Sequence, residues 1–322
     1  MSGQRRIWVG IACGMAAGAV WGVVFLAPEL LHGFSALQLT LGRYLTYGLL
    51  AAILIASRWR KLAGQLTPAH WRALARLAFV GNTLYYILLS TAVRTGGIAM
   101  TSLIIGFLPV AVTIVGSRDR GAVPLGRLLP SLSLCVAGAV CIGWQSLLVP
   151  SSRPLAAQIT GLVCAIGAVM SWTLYAVDNS RWLARLESVS ADDWNLLVGV
   201  VTGVQSLLLI PVVLLVDRAP HSTAAWVEFA VVSACVAFLA SIVGNGLWNR
   251  MSRLLPLTLV GQMILFETLF ALVYGLVWEQ RWPTPLESVA FVLVVLSVMS
   301  CIAVHGREMS AGHQGAVLEV PD

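Results

Sequence analysis

The chain has 322 residues, of which 58% are hydrophobic and 11% charged, with a mean hydropathy of +0.87 and a formal net charge of +6. Soluble domains carry roughly 25% charged residues, so this composition excludes a soluble enzyme and indicates a polytopic membrane protein. The positive balance is a membrane-orientation signal rather than a nucleic-acid surface, because no basic cluster sits on a soluble fold.

A bilayer core about 30 Å thick takes about 20 apolar residues per helix. Ten such runs are predicted, at residues 7–26, 37–57, 73–93, 97–117, 128–149, 158–177, 194–216, 226–247, 256–277 and 287–305. Arg5 and Arg6 before the first run could open a signal peptide, but the run is as long as a span and no soluble mature chain follows it. The first run also carries Gly10, Gly14, Gly18 and Gly22 on one helical face, which lets a neighbouring backbone come close.

The second run holds Arg43, placed to snorkel, to anchor a carbonyl or to bind a substrate carboxylate. Asn82, Tyr85 and Tyr86 share a face of the third, Trp172 and Tyr175 of the sixth, and Asn245, Trp248 and Asn249 of the eighth. The ninth carries Gln262 and Glu267. Glu267 is the one carboxylate predicted deep in an apolar span, where an unpaired charge costs several kcal/mol. It reads as a gate, a partner for a substrate amine, a protonatable coupling site or a cap on broken backbone.

Gly10, Cys13 and Trp21 return 151 residues later as Gly161, Cys164 and Trp172. Five spans per copy is an odd number, so the second copy must be inverted, as in carriers that bind substrate between two repeats. The expected layout is 1–149, 150–306 and a flexible tail at 307–322. Two registers compete farther on: Arg94 with Arg253 and Pro109 with Thr268 at an offset of 159, against Gly81, Asn82, Leu84 and Tyr85 with Gly244, Asn245, Leu247 and Trp248 at 163.

Most arginines, among them Arg5, Arg6, Arg58, Arg76, Arg181 and Arg250, fall on the N-terminal side of the membrane, and Arg94, Arg153, Arg218 and Arg281 on the other. The positive-inside rule therefore predicts cytoplasmic termini. The chain has no Walker A sequence, H-E-x-x-H or C-x-x-C, and its six cysteines lack metal-ligand spacing. No enzyme, cofactor, metal or ATPase subunit is implied.

Arg43, the A-V-R at Ala92 to Arg94, Pro109, the F-E-T at Phe266 to Thr268 and the W-E at Trp278 and Glu279 resemble the drug/metabolite transporter superfamily with its EamA-type repeats. Within it, the chain is most similar to the YddG-type aromatic amino acid exporters of bacterial inner membranes. The resemblance implies an all-α integral membrane fold, ten helices around a central cavity, and export of amino acids, aromatic ones among them. It also implies a Pro after the ninth-helix Glu, where this chain has Thr268, so a kink there is absent or supplied otherwise.

On this reading Trp21, Tyr85, Tyr86, Trp172, Tyr175 and Trp248 stack an apolar side chain, and Asn82, Asn245 and Gln262 hydrogen-bond its amino and carboxyl groups. Glu267 and Arg43 serve gating or coupling. The alternatives are a nucleotide-sugar or other metabolite or drug carrier of the same superfamily, and a channel-like facilitator.

Overall fold

The computed structural model of the protein describes residues 3–26, 30–31, 33–96, 98–119, 122–147, 154–186, 188–217, 220–278 and 280–318. Every regular element among them is helical. The expected boundary between residues 149 and 150, Arg153, Arg218 and Glu279 lie outside the described residues.

Helix α1, Gly3–Gly22, runs into a 3-10 turn at Val23–Leu26. Helix α2, Ala36–Ile55, starts at a capping box. There the Gln38 N–H donates to Ser35 Oγ at 3.1 Å and the Ser35 N–H to Gln38 Oε1 at 2.8 Å. A short helix α3, Trp59–Gln65, leads to α4, Pro68–Ala78, whose first position is the Pro that helix starts tolerate. A π-helical segment, Phe79–Thr83, joins α4 to α5, Leu84–Gly96.

Helices α6, Ile98–Ile105, and α7, Leu108–Gly116, are separated at Gly106 and Phe107, with Pro109 in the first turn of α7. Helix α8, Leu125–Leu147, contains Pro130, and α9, Leu155–Arg185, is continuous. Helices α10, Ala191–Leu207, and α11, Ile210–Val216, meet at 44°. Pro211 in the first turn of α11 has no N–H for the preceding helix, which accounts for the bend.

Helix α12, Thr223–Val236, continues through a second π-helical segment, Ala237–Gly244, into α13, Asn245–Leu254. Helices α14, Leu257–Met263, and α15, Leu265–Trp278, are divided at Ile264. Helix α16 spans Pro285–Leu318.

Six helical stretches are long and apolar enough to cross a membrane: Leu37–Gln65, Pro68–Val93, Leu155–Arg185, Thr223–Leu254, Leu257–Trp278 and Pro285–Gly306. The bent pair α10–α11 makes a seventh if it counts as one span. The other predicted runs form α1, the pair α6–α7, whose break leaves pieces too short to cross alone, and α8, with a shorter apolar stretch at Leu125–Cys141.

The bundle is assembled by pairs distant in sequence: α9 on α5, α10 on α2, α16 on α8, α7 on α14, and α1 on both α13 and α15. The glycine face of α1 explains the last pairing, because a Cβ on Gly10 would sit 2.6 Å from Leu255 and one on Gly18 2.6 Å from Phe266. The tightest crossing joins α2 and α10. A Cβ on Gly48 would lie 2.5 Å from Gly203 Cα, and one on Gly203 2.6 Å from Gly48 Cα, so the two backbones touch. Gly48→Leu is expected to cost at least about 1–3 kcal/mol by overpacking and to remove the monodisperse peak in detergent chromatography. Gly64→Leu, with open space around it, should leave that peak intact.

Both π segments have carbonyls that a regular ladder does not fully satisfy, and side chains from other helices bond them. Asn195 Nδ2 donates to the carbonyls of Ser241 and Ile242, each at 3.1 Å, and Trp21 Nε1 to that of Ala240 at 3.0 Å. Ser171 Oγ donates to the Val80 carbonyl at 2.7 Å. Where a Pro after Glu267 was expected, the helical ladder is instead interrupted one turn earlier, at Ile264, and the Glu267 N–H donates to the Ile264 carbonyl at 3.0 Å, three residues back.

Candidate substrate cavity

A cavity of about 420 Å³ opens among α2, α5, α12 and the turn after α1. Val24, Leu31, Phe34, Leu39, Leu89, Val93, Val232 and Val236 form its apolar wall, and Thr40, Ser90, Ser233, Tyr86 and Arg43 add polar groups. These residues sit at the helix ends remote from Arg58, Arg76 and Arg250, so the cavity belongs to the arginine-poor face.

Arg43 is the one charged residue among the described lining residues. Its Nε donates to Ser241 Oγ at 3.1 Å and its Nη1 to the Tyr86 hydroxyl. Its guanidinium lies 5.4 Å from the Tyr44 ring centre and 5.1 Å from that of Tyr86, two cation–π contacts on the same side, since the two ring centres are themselves 5.3 Å apart. Tyr86 in turn meets Tyr44 and Tyr85 edge-on, at 5.3 and 5.6 Å. No ion pair joins Arg43 to Glu267 among the described residues, and the Glu267 carboxylate makes no hydrogen bond there.

One helical turn deeper than Val24 and Val236 lies an aromatic layer. Trp21 packs on Trp248 at 5.1 Å and edge-on to Trp172 at 6.4 Å, Trp172 meets Trp248 at 5.4 Å, and Tyr175 meets Trp172 at 5.8 Å. All four rings are buried. Below them, Trp194 Nε1 donates to Asn179 Oδ1 at 3.0 Å, and Asn179 Nδ2 to Asn249 Oδ1 at 2.8 Å.

Ion pairs line the arginine-rich face. Arg58 meets Asp193 at 3.1 Å, Arg76 meets Asp178 at 2.6 Å and Arg181 meets Asp119 at 2.7 Å, each joining a residue before 150 to one after it. Arg250 grips Asp192 with two nitrogens, at 2.5 and 3.1 Å. Arg253 donates to the carbonyls of Leu186, at 3.0 Å, and Val189.

The residues singled out in the sequence thus fall into separate groups. Trp21, Trp172, Tyr175 and Trp248 form one layer, and Arg43, Tyr85 and Tyr86 another cluster. The amides stand elsewhere. Asn82 donates to Thr202 Oγ1 at 2.9 Å between α10 and the first π segment. Gln262 is fully buried, bonded to Ser131, Ser297 and Thr113 at 3.2–3.3 Å where α14, α7, α8 and α16 meet. Asn245 lies within reach of the Tyr47 hydroxyl, which donates to Asn195 at 2.7 Å.

Sequence reasoning passed over Tyr44, Ser241 and the acidic residues Asp119, Asp178, Asp192 and Asp193. Only the acids left a signal, since they cluster at span ends on the arginine-rich side.

The model of the EamA-like transporter family matches the chain twice, over residues 8–144 and 159–302. The chain is 30% identical over 306 residues to the inner membrane protein YtfF of Escherichia coli (strain K12), covering 91% of this chain and 94% of that protein. A solved crystal structure superposes with a TM-score of 0.75 at 15% identity, over 92% of this chain and 98% of its own, which is a likeness of fold.

Proposed function

Because the chain belongs to the EamA-like transporter family, we propose that it is a carrier of the bacterial inner membrane that exports amino acids, aromatic ones among them, by alternating access. The relative described as an inner membrane protein supports the location. The observation that carries the reading is a cavity on one face whose wall combines Arg43 with apolar side chains, above an aromatic layer and a face lined by ion pairs. One hollow end and one closed end are what a single state of an alternating carrier needs.

Ten membrane helices in two inverted five-helix units, 1–149 and 150–306, with a tail at 307–322, account for the packing. Exchanging each span with its counterpart five places on turns α9-on-α5 into α1-on-α13. The same exchange leaves α10-on-α2 and α16-on-α8 unchanged. Reciprocal contacts support the same symmetry. Gly48 and Gly203 each face the other's Cα, and the Ser131 and Ser297 hydroxyls each donate to the other's carbonyl, at 2.8 and 2.7 Å. Both termini then lie in the cytoplasm with the arginine-rich face.

In this reading Trp21, Trp172, Tyr175 and Trp248 part to receive an apolar side chain, with Tyr85 and Tyr86 at the entrance and Asn82, Asn245 and Gln262 on the helices that move. Arg43 and Glu267 supply gating or coupling. A nucleotide-sugar carrier would need several cations to hold phosphates, and the cavity wall offers Arg43.

Uptake of labelled phenylalanine, tryptophan and threonine into liposomes holding only the purified protein is expected to saturate. Flux without saturation, at rates far above carrier turnover, would replace the carrier with a channel. Absence of flux for all three with folded protein would overturn the substrate class.

A further inference from the structure

We propose that the cavity reads its ligand's carboxylate through Arg43 and its body through apolar contact, and does not read an amino group. The inference rests on the transport reading and deepens its substrate class to amphiphilic monocarboxylates, amino acids and their deaminated counterparts alike.

Three observations carry it. First, a guanidinium has five N–H donors in a fork that fits a carboxylate. Two are engaged here, by Ser241 Oγ and by the Tyr86 hydroxyl. No Asp or Glu pairs with Arg43 among the described residues, so part of the fork is left to a ligand. Second, the fork is backed by the rings of Tyr44 and Tyr86 and tied through Nε to Ser241 and through Nη1 to Tyr86. A fixed fork loses little freedom on binding, which favours a planar anion over a diffuse charge. Third, an ammonium in an apolar cavity is held best by a carboxylate or by several converging carbonyls, and the described lining residues bring no carboxylate, only the hydroxyls of Thr40, Ser90, Ser233 and Tyr86. Glu267 is not among the described lining residues. A cavity of about 420 Å³ is in the range of small-molecule sites, and its remaining wall suits an aromatic or branched aliphatic body.

The test is competition against saturable uptake of labelled phenylalanine by the purified, reconstituted protein, alongside ligand-induced thermal stabilisation of the same protein in detergent. 3-Phenylpropionate keeps the carboxylate and lacks the amine; phenethylamine keeps the amine and lacks the carboxylate. Phenylpropionate is expected to compete within about threefold of phenylalanine and to raise the melting temperature, and phenethylamine to do neither. Arg43→Gln should weaken phenylpropionate stabilisation at least tenfold, and Arg43→Lys, which keeps the charge without the fork, should recover part of it. Phenethylamine competing as well as phenylpropionate overturns the inference in the unmodified protein, whether or not the variants fold. Equal stabilisation of the parent and Arg43→Gln by phenylpropionate overturns it too. If phenylalanine is not carried yet phenylpropionate stabilises the parent and not Arg43→Gln, the amino acid reading fails and the carboxylate site stands.

Discussion

Glu267→Gln is expected to abolish the response of phenylalanine flux to an imposed pH gradient while the protein still folds. Glutamine keeps the shape of the side chain and removes its proton chemistry, so the variant separates coupling from packing. The expectation follows from an imbalance. A carboxylate in the middle of a span costs about 2.5–3.5 kcal/mol or more, and such groups are retained where they pair, face water or exchange a proton. Glu267 has no hydrogen bond or ion pair among the described residues, although its own N–H is used in the tightened turn at Ile264. No direct partner there offsets the cost, which makes proton exchange the expectation this variant tests. A gradient effect of at least tenfold in the parent that vanishes in Glu267→Gln would support coupling. The same effect in both proteins would assign Glu267 to structure, and no effect in either would make the carrier a uniporter.

Reversing the ion pairs on the arginine-rich face is expected to open it. Partly exposed pairs of this kind contribute about 0.2–1 kcal/mol each. The three that join residues before 150 to residues after it, Arg58–Asp193, Arg76–Asp178 and Asp119–Arg181, therefore sum to about 0.6–3 kcal/mol. At 1.4 kcal/mol per factor of ten, losing one pair shifts the closed state a few-fold, and losing all three shifts it by as much as a hundredfold. The measurement is labelling of Val177→Cys, a buried position beside Asp178, by an impermeant maleimide in a cysteine-replaced background. Asp178→Arg with Asp193→Arg and Asp119→Arg should accelerate labelling by at least tenfold. Adding Arg76→Asp, Arg58→Asp and Arg181→Asp should slow it again, because the pairs re-form with opposite sense. Accelerated labelling that the compensating changes leave untouched would mean that the substitutions damaged packing and that the pairs do not hold the gate.

The helical membrane class was legible because 20-residue apolar runs have no other stable use, and the glycine face of α1 announced its own neighbour. Trp21 and Trp172 were legible as counterparts, and the structure packs them against each other. The amides were harder, for a physical reason: a mid-span amide needs a partner, and sequence does not say whether that partner is a ligand or protein. Asn82 and Gln262 find theirs in Thr202 and in Ser131, Ser297 and Thr113, on helices far away in the chain. Arg43 and Tyr86 sit 43 residues apart, and nothing in local spacing joins them.

On the proposed repeat, the two competing registers have a physical explanation. Gly81 lies against the Tyr175 ring and Gly244, 163 residues on, against Trp21, so each of the two glycines takes a ring of the aromatic layer. Nearer the arginine-poor end of α5, Gly96 lies against Gly161 as Leu255 lies against Gly10, which follows 159. A difference of four residues is close to one helical turn, so the inward face is kept while the register changes.

The π segments at Phe79–Thr83 and Ala237–Gly244 bear on how the chain tolerates change in length. A π segment accommodates an extra residue within an α-helix. Deleting one residue from Phe79–Thr83 would let α4 and α5 merge into a regular helix with the faces on either side largely kept, because the residue removed is the one the π turn absorbs. Ser171 would lose the Val80 carbonyl to the restored ladder. A one-residue deletion is therefore tolerated best within this stretch, whereas in a regular helix every later side chain would turn by about 100°.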